Sequence, residues 1–212
     1  MSHLADSDRI LPAYAATRDR IVTLLRSASP DDAIRPVPAC PDWTVADLAA
    51  HIAGLPEDVI AGRVNGAGTD PWTAAQVDRH RGDTLGQLAD SLELNAAAFD
   101  GVLPHIPAPV NSQIVMDTVT HEHDLRAALD QPGARDSDAV VVGLGFLLHG
   151  RAAQQPDLVD EILAADVDPW NLLRTLSGRR TAQQITALGL DADAITGPMA
   201  GSPVRAPAEP VE

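Results

Sequence analysis

The chain has 212 residues and a mass of 22.3 kDa, and 30 acidic against 15 basic side chains leave a formal charge of −15. That balance argues against a nucleic-acid partner, whose phosphates need a basic footprint, and against an anionic membrane surface. Every basic residue is Arg and Cys40 is the lone cysteine, so no internal disulfide can form and a reducing, cytoplasmic setting is expected.

Aromatic residues make up only 3% of the chain, and a core of Ala, Leu, Val and Ile favours packed helices over strands. A first helix is predicted over residues 6–27, where Ile10, Tyr14, Ile21, Leu24 and Leu25 form one apolar stripe. Pro30 and the run IRPVPACPDW break it into an extended connector. Thr44 with Asp47 reads as a capping box opening a second helix over 45–64, with Val45, Leu48, Ile52, Leu55 and Val59 inward. NGAGTDP is a turn, followed by a short helix over 72–81 and a longer one over 83–102. A Pro-rich connector, 104–112, leads to a fourth long helix over 112–130, which Pro132 and Gly133 stop. The expected fold is all-α: a four-helix bundle in residues 1–135, then a small helical segment in 136–190 and a flexible tail in 191–212. Helices of that segment are expected over 138–155, from Asp168 and after Arg180; the apolar run 139–148 is too short to span a bilayer.

The chemistry gathers on two helices. His51 lies inside the apolar stripe of the second, where an imidazole needs partners for both nitrogens. Asp117 and His121 stand four residues apart on the fourth, hence on one face with Cβ atoms about 5–6 Å apart. An acid and a His in that spacing, with a third donor from a facing helix, make a set suited to a divalent metal. A bland reading remains for each: a hydrogen-bonded core histidine at 51, and a helical Asp–His pair at 117 and 121. Asp124 either orients a ligand or solvates the helix surface. Glu122 and Arg126 read as a solvated i, i+4 pair, and His123, about 200° round the helix from His121, as an exposed or rim residue. Arg179 and Arg180 in SGRR either meet the carboxylates of an anionic substrate or complement a helix C-terminus. Cys40 is expected to pack under the connector, and Trp43, Trp72 and Trp170 to anchor connectors.

PVPACPDWTVADLAAHIAG, residues 36–54, resembles the signature of the mycothiol-dependent maleylpyruvate isomerase N-terminal family, among the DinB-like metal-binding four-helix bundles. The likeness continues in DPWTAAQVDRHRG, DTVTHEHDLRAALDQPGARDS and LLRTLSGRRTAQQI. It implies a divalent metal, usually zinc, held by His51, Asp117 and His121, with mycothiol as cosubstrate. Asp117 stands where family members commonly carry Glu, one methylene longer. The characterised isomerases also carry a fuller α/β domain after the bundle, where this chain has residues 136–212. The implied activity is S-transfer or isomerisation, a low-molecular-weight thiol attacking an electrophilic small molecule. A zinc-binding structural or sensing module and a metal-dependent hydrolase stay open beside it. The partners are then small molecules, and the oligomeric state is open, a homodimer being compatible with apolar helix faces.

Overall fold

The computed structural model describes residues 3–199 and 205–211, and the chain in it is all-α, with a single small hairpin among the described residues. Four long helices enclose the main core: α1 (Ser7–Ser27), α2 (Val45–Ile60), α4 (Leu85–Val102) and α5 (Val110–Ala128), with the short α3 (Asp70–Arg79) between α2 and α4. Both α1 and α2 pack against α4 and α5, so each apolar stripe meets two neighbours. Ile21, Leu25, Leu48, Leu88, Leu92 and Leu125 fill one end of this core; Tyr14, Phe99, Val115 and Val119 fill the other.

The element boundaries follow local chemistry. The Thr44 hydroxyl accepts from the Asp47 N–H while the Asp47 carboxylate accepts from the Thr44 N–H at 2.9 Å, so the expected capping box starts α2. Thr84 with Gln87 and Thr181 with Gln184 repeat the device on other helices. The second helix ends at Ile60, earlier than residue 64, because Gly62 turns at φ +69 and the Arg63 N–H reaches back to the Asp58 carbonyl. At the end of α5 the same reversal is made by Asp130 at φ +55, two residues before the proline expected to stop it.

The proline-rich connector is more than a linker. Residues 36–44 form an antiparallel hairpin of β1 (Pro36–Val37) and β2 (Cys40–Thr44), and fully buried Val37 pins it to the core. Past residue 135 come α6 (Asp138–Ala152), α7 (Pro156–Ala164), α8 (Pro169–Leu176), α9 (Ala182–Ala187) and α10 (Ala192–Thr196). Helix α6 lies along α5, and α8 lies on α6. Of the tail expected to be flexible, residues 192–196 are helical and fully buried Ile195 packs into a third apolar cluster; residues 200–204 and 212 lie outside the described residues. Among the described residues no helix is long and apolar enough to cross a membrane.

Candidate metal centre

The second helix delivers His51 and the fifth delivers Asp117 and His121 to one point. His51 Nε2 lies 3.4 Å from Asp117 Oδ2, and His121 Nε2 lies 3.5 Å from Asp117 Oδ1. The two imidazoles meet edge to face with centroids 5.1 Å apart, and the donor atoms of all three residues lie within 4.8 Å of one another. These separations exceed an ordinary N–H···O hydrogen bond, near 2.9 Å. They match the ~3.3 Å edge of a tetrahedron whose bonds are about 2.0–2.1 Å, as around zinc. The donor set of two imidazoles and one carboxylate therefore fits a divalent cation, and the aspartate reaches both rings despite its shorter side chain.

Each histidine is aimed by a separate relay. His51 Nδ1–H donates to Gln76 Oε1 at 2.7 Å, and Gln76 Nε2 donates to Asp58 Oδ2 at 2.9 Å. Asp58, itself buried, accepts at 2.7 Å from both Arg63 and Arg79. His121 Nδ1–H donates at 3.0 Å to Asp124 Oδ2. In both rings the Nδ1 proton is thus committed outward, leaving Nε2 to face Asp117. Gly54 permits the first relay, since a Cβ there would stand 2.7 Å from Gln76 Cβ.

Burial opposes the charge of Asp117, yet the His121 charge and the polar contacts of both imidazoles outweigh it and hold the carboxyl below its usual range. Burial likewise works against a charged His121, but the Asp117 charge and hydrogen bonds with Asp117, Asp124 and Cys40 raise its pKa well above the usual imidazole value. Both histidines are buried, whereas the Asp117 side chain is 33% exposed and marks the open side of the site. Trp43 on the hairpin stands 5.5 Å from His51 and 6.4 Å from His121 between ring centroids, and Trp72 stands edge-on to His51 at 6.5 Å. Both were expected chiefly to anchor connectors, with an aromatic wall the lesser reading for Trp72; the hairpin and α3 set both rings beside the histidines.

Other residues fall elsewhere than the helical wheel suggests. His123, expected exposed or at the rim, is 3% exposed and packs against Trp170. Glu122, expected in a solvated pair, is sealed between Arg20 and Arg126. The covers differ: Glu122 faces α1 of the bundle itself through Arg20, whereas His123 is covered by Trp170 of the C-terminal segment, which a bundle of four helices would lack. Asp124 is fully buried and accepts from His121, so it does not solvate the helix surface. Arg179 spends its donors on Asp124 and the Ser177 carbonyl, and Arg180 lies over the Trp170 ring and donates to Asn171, so neither guanidinium faces the site's open side as a substrate clamp. Cys40, His121 and Asp124 form a second tight group of donors. The Asp124 oxygens there are already taken by Arg174 and Arg179, whose charges oppose a cation. Sequence reasoning missed Gln76, Asp58 and Arg174; only Gly54, a glycine inside a helix, hinted at a close neighbour.

Fold and site together define an all-α protein with a two-histidine, one-carboxylate donor group set between two helices of its core. The chain belongs to the family described as the mycothiol maleylpyruvate isomerase N-terminal domain, whose model matches residues 14–129, more than half of its length. That span holds His51, Asp117, His121, Gln76 and Asp124, and it ends before Arg174 and Arg179. No curated protein and no solved structure matches the chain.

Proposed function

We propose that the protein binds a divalent metal, zinc, through His51, Asp117 and His121, and acts on an electrophilic small molecule with mycothiol as the thiol cosubstrate. The observation that carries this reading is the convergence of the two Nε2 atoms on Asp117 at 3.4 and 3.5 Å, inside the matched family span. A zinc ion bound there would act as a Lewis acid that favours the anionic form of a sulfur or oxygen ligand.

The chain's own residues supply the rest. Gln76 and Asp124 keep the two rings oriented, and the Asp117 carboxylate offsets cationic charge. Trp43 and Trp72 cover the histidines and exclude water from that side, which strengthens every charge interaction inside. The partly exposed Asp117 leaves a face at which thiol and electrophile can meet. Three protein donors with an open side are the pattern of catalytic rather than structural zinc sites, which favours an enzyme over a structural or sensing module. In the isomerase variant the thiol sulfur adds to one carbon of a cis double bond. The π-electron pair is taken up by the substrate's conjugated electron-withdrawing group, the resulting single bond rotates, and return of that pair expels the same thiolate and forms the trans double bond, so the thiol is regenerated. Such chemistry belongs in the cytoplasm, where small thiols stay reduced, and needs neither nucleic acid nor membrane.

The test is incubation of zinc-loaded protein with mycothiol and an electrophilic bimane. Conjugation is expected, with loss of at least 100-fold in His51→Ala on removal of a ligand. Tight zinc retention without conjugation across several electrophiles would leave the metal module standing and remove the transferase reading.

A further inference from the structure

Beyond the matched family span the chain turns back to touch the site from behind. Helix α8 carries Arg174, fully buried, whose two terminal nitrogens donate separately, Nη2 to Asp124 Oδ1 at 2.8 Å and Nη1 to the Thr120 carbonyl at 3.1 Å. Gly178 then ends the helix at φ +75: the Gly178 N–H returns to the Thr175 carbonyl and the Arg179 N–H to the Arg174 carbonyl at 2.7 Å. That reversal folds Arg179 under the helix end, where its guanidinium donates to Asp124 Oδ2 at 2.8 Å. The turn tolerates no side chain, because a Cβ on Gly178 would lie 2.9 Å from the Arg205 carbonyl oxygen. Two guanidiniums from residues 50 and 55 positions downstream thus hold one carboxylate on α5. The oxygen that Arg179 holds is the one that accepts the His121 Nδ1 proton.

We infer that Arg174 and Arg179 are positioning residues for the metal centre: they lock the Asp124 carboxylate against the His121 Nδ1–H, and so make the C-terminal segment a working part of a site whose ligands all lie in the family domain. A carboxylate free to rotate would hold the imidazole ring loosely; one pinned at both oxygens holds the ring plane and keeps Nε2 on Asp117. His51 is aimed by a neutral amide within the domain, so only one of the two histidines depends on the C-terminal segment. The inference rests on the metal reading above.

The experiment titrates the full chain with zinc alone, by competition with a chromophoric chelator, and records the exchangeable imidazole N–H resonances of the cobalt-substituted protein. Arg174 is wholly buried and its loss risks unfolding, so Arg179, at the edge of the cluster, is the main variant. Arg179→Met and Asp124→Asn are expected to bind zinc about 10–100-fold more weakly, as loss of the hydrogen-bonded support of a ligand does elsewhere. Wild type should show two paramagnetically shifted N–H resonances; the variants should move or lose the His121 one and leave that of His51 in place. Arg179→Lys, which keeps the charge, should recover part of the affinity. Wild-type affinity and both resonances unchanged in Arg179→Met and Asp124→Asn would overturn this inference while leaving the metal reading intact. Wild-type protein that takes up neither zinc nor cobalt would overturn both.

Discussion

Helix α5 buries two carboxylates two residues apart, and each is held by two arginines. Glu122 accepts from Arg20 at 2.6 and 2.7 Å and from Arg126 at 3.0 Å. Asp124 accepts from Arg174 and Arg179, each at 2.8 Å. Both acids are completely shielded, and for each the attraction of two guanidiniums offsets the loss of hydration. The third partner separates them: Asp124 also receives the His121 proton, whereas Glu122 ties α5 to α1 through Arg20 and to its own next turn through Arg126. Identical local chemistry therefore serves the centre on one side of the helix and holds helices together on the other.

The largest effect that would sharpen this contrast is a substitution that costs stability and spares the metal. Glu122→Ala leaves Arg20 and Arg126 without their carboxylate, and breaking a buried pair by removing one partner costs about 3 kcal/mol, taking the lower end because both arginines can swing toward water. At about 2–4 °C per kcal/mol in a chain of this size, Tm should fall by roughly 6–12 °C. Zinc affinity of the folded variant should stay at the wild-type value. A parallel loss of affinity would erase the distinction between the two clusters.

His123 sits between the two acids and reports on both through pH. Burial lowers its pKa first, and the charges of Arg174 and Arg126 push it further, to about 3 from the ordinary 6.5. The unfolded chain takes up this proton near 6.5 and the folded chain only near 3. Its contribution is therefore complete above 6.5 and is lost as pH falls through that window. His121 has the opposite shift, so its contribution is already full below 6.5 and adds no slope there. Depressed carboxylates such as Asp124 act only nearer the ordinary value of 3.8. At about 1.4 kcal/mol per pH unit, His123 should withdraw roughly 2–3 kcal/mol between pH 6.5 and 4.5. Denaturant melts of metal-free protein should show this slope, and His123→Phe should flatten it. A slope that survives in the variant assigns the acid sensitivity to another group.

The features that could be read from the chain are those whose causes are local. Thr44 and Asp47 are three residues apart and set the start of α2 by themselves. Asp117 and His121 are one helical turn apart, so their shared face follows from the period of the helix. His51 was placed inward by its apolar neighbours, without any knowledge of what it would meet. What stayed hidden was long in range: Gln76 is 25 residues from His51, and Arg174 is 50 from Asp124. Glu122 and His123 were misplaced because a periodicity argument assumes one wet face, and α5 has none over its middle turns. Helix α7 was not anticipated, although Pro156 at its first turn is an ordinary starting signal.

The smallest effect tests the arm of the centre that lies wholly inside the family domain. Gly54 lets α3 close on α2, and in Gly54→Ala the new methyl meets Gln76 Cβ at 2.7 Å and Cγ at 2.8 Å. Backbone geometry is no obstacle, since Gly54 lies within α2 and Ala favours a helix by about 1 kcal/mol over Gly. The clash must instead displace Gln76, at a cost of about 1–3 kcal/mol for overpacking. The two terms nearly cancel, so Tm should move by only a few degrees. His51 alone loses its Nδ1 acceptor, and zinc affinity should fall by about 10-fold through loss of that hydrogen bond. In the cobalt-substituted protein the His51 N–H resonance should shift while that of His121 holds, the reverse of the pattern expected for Arg179→Met. Movement of both resonances together would mean that the two arms are one coupled network rather than independent supports.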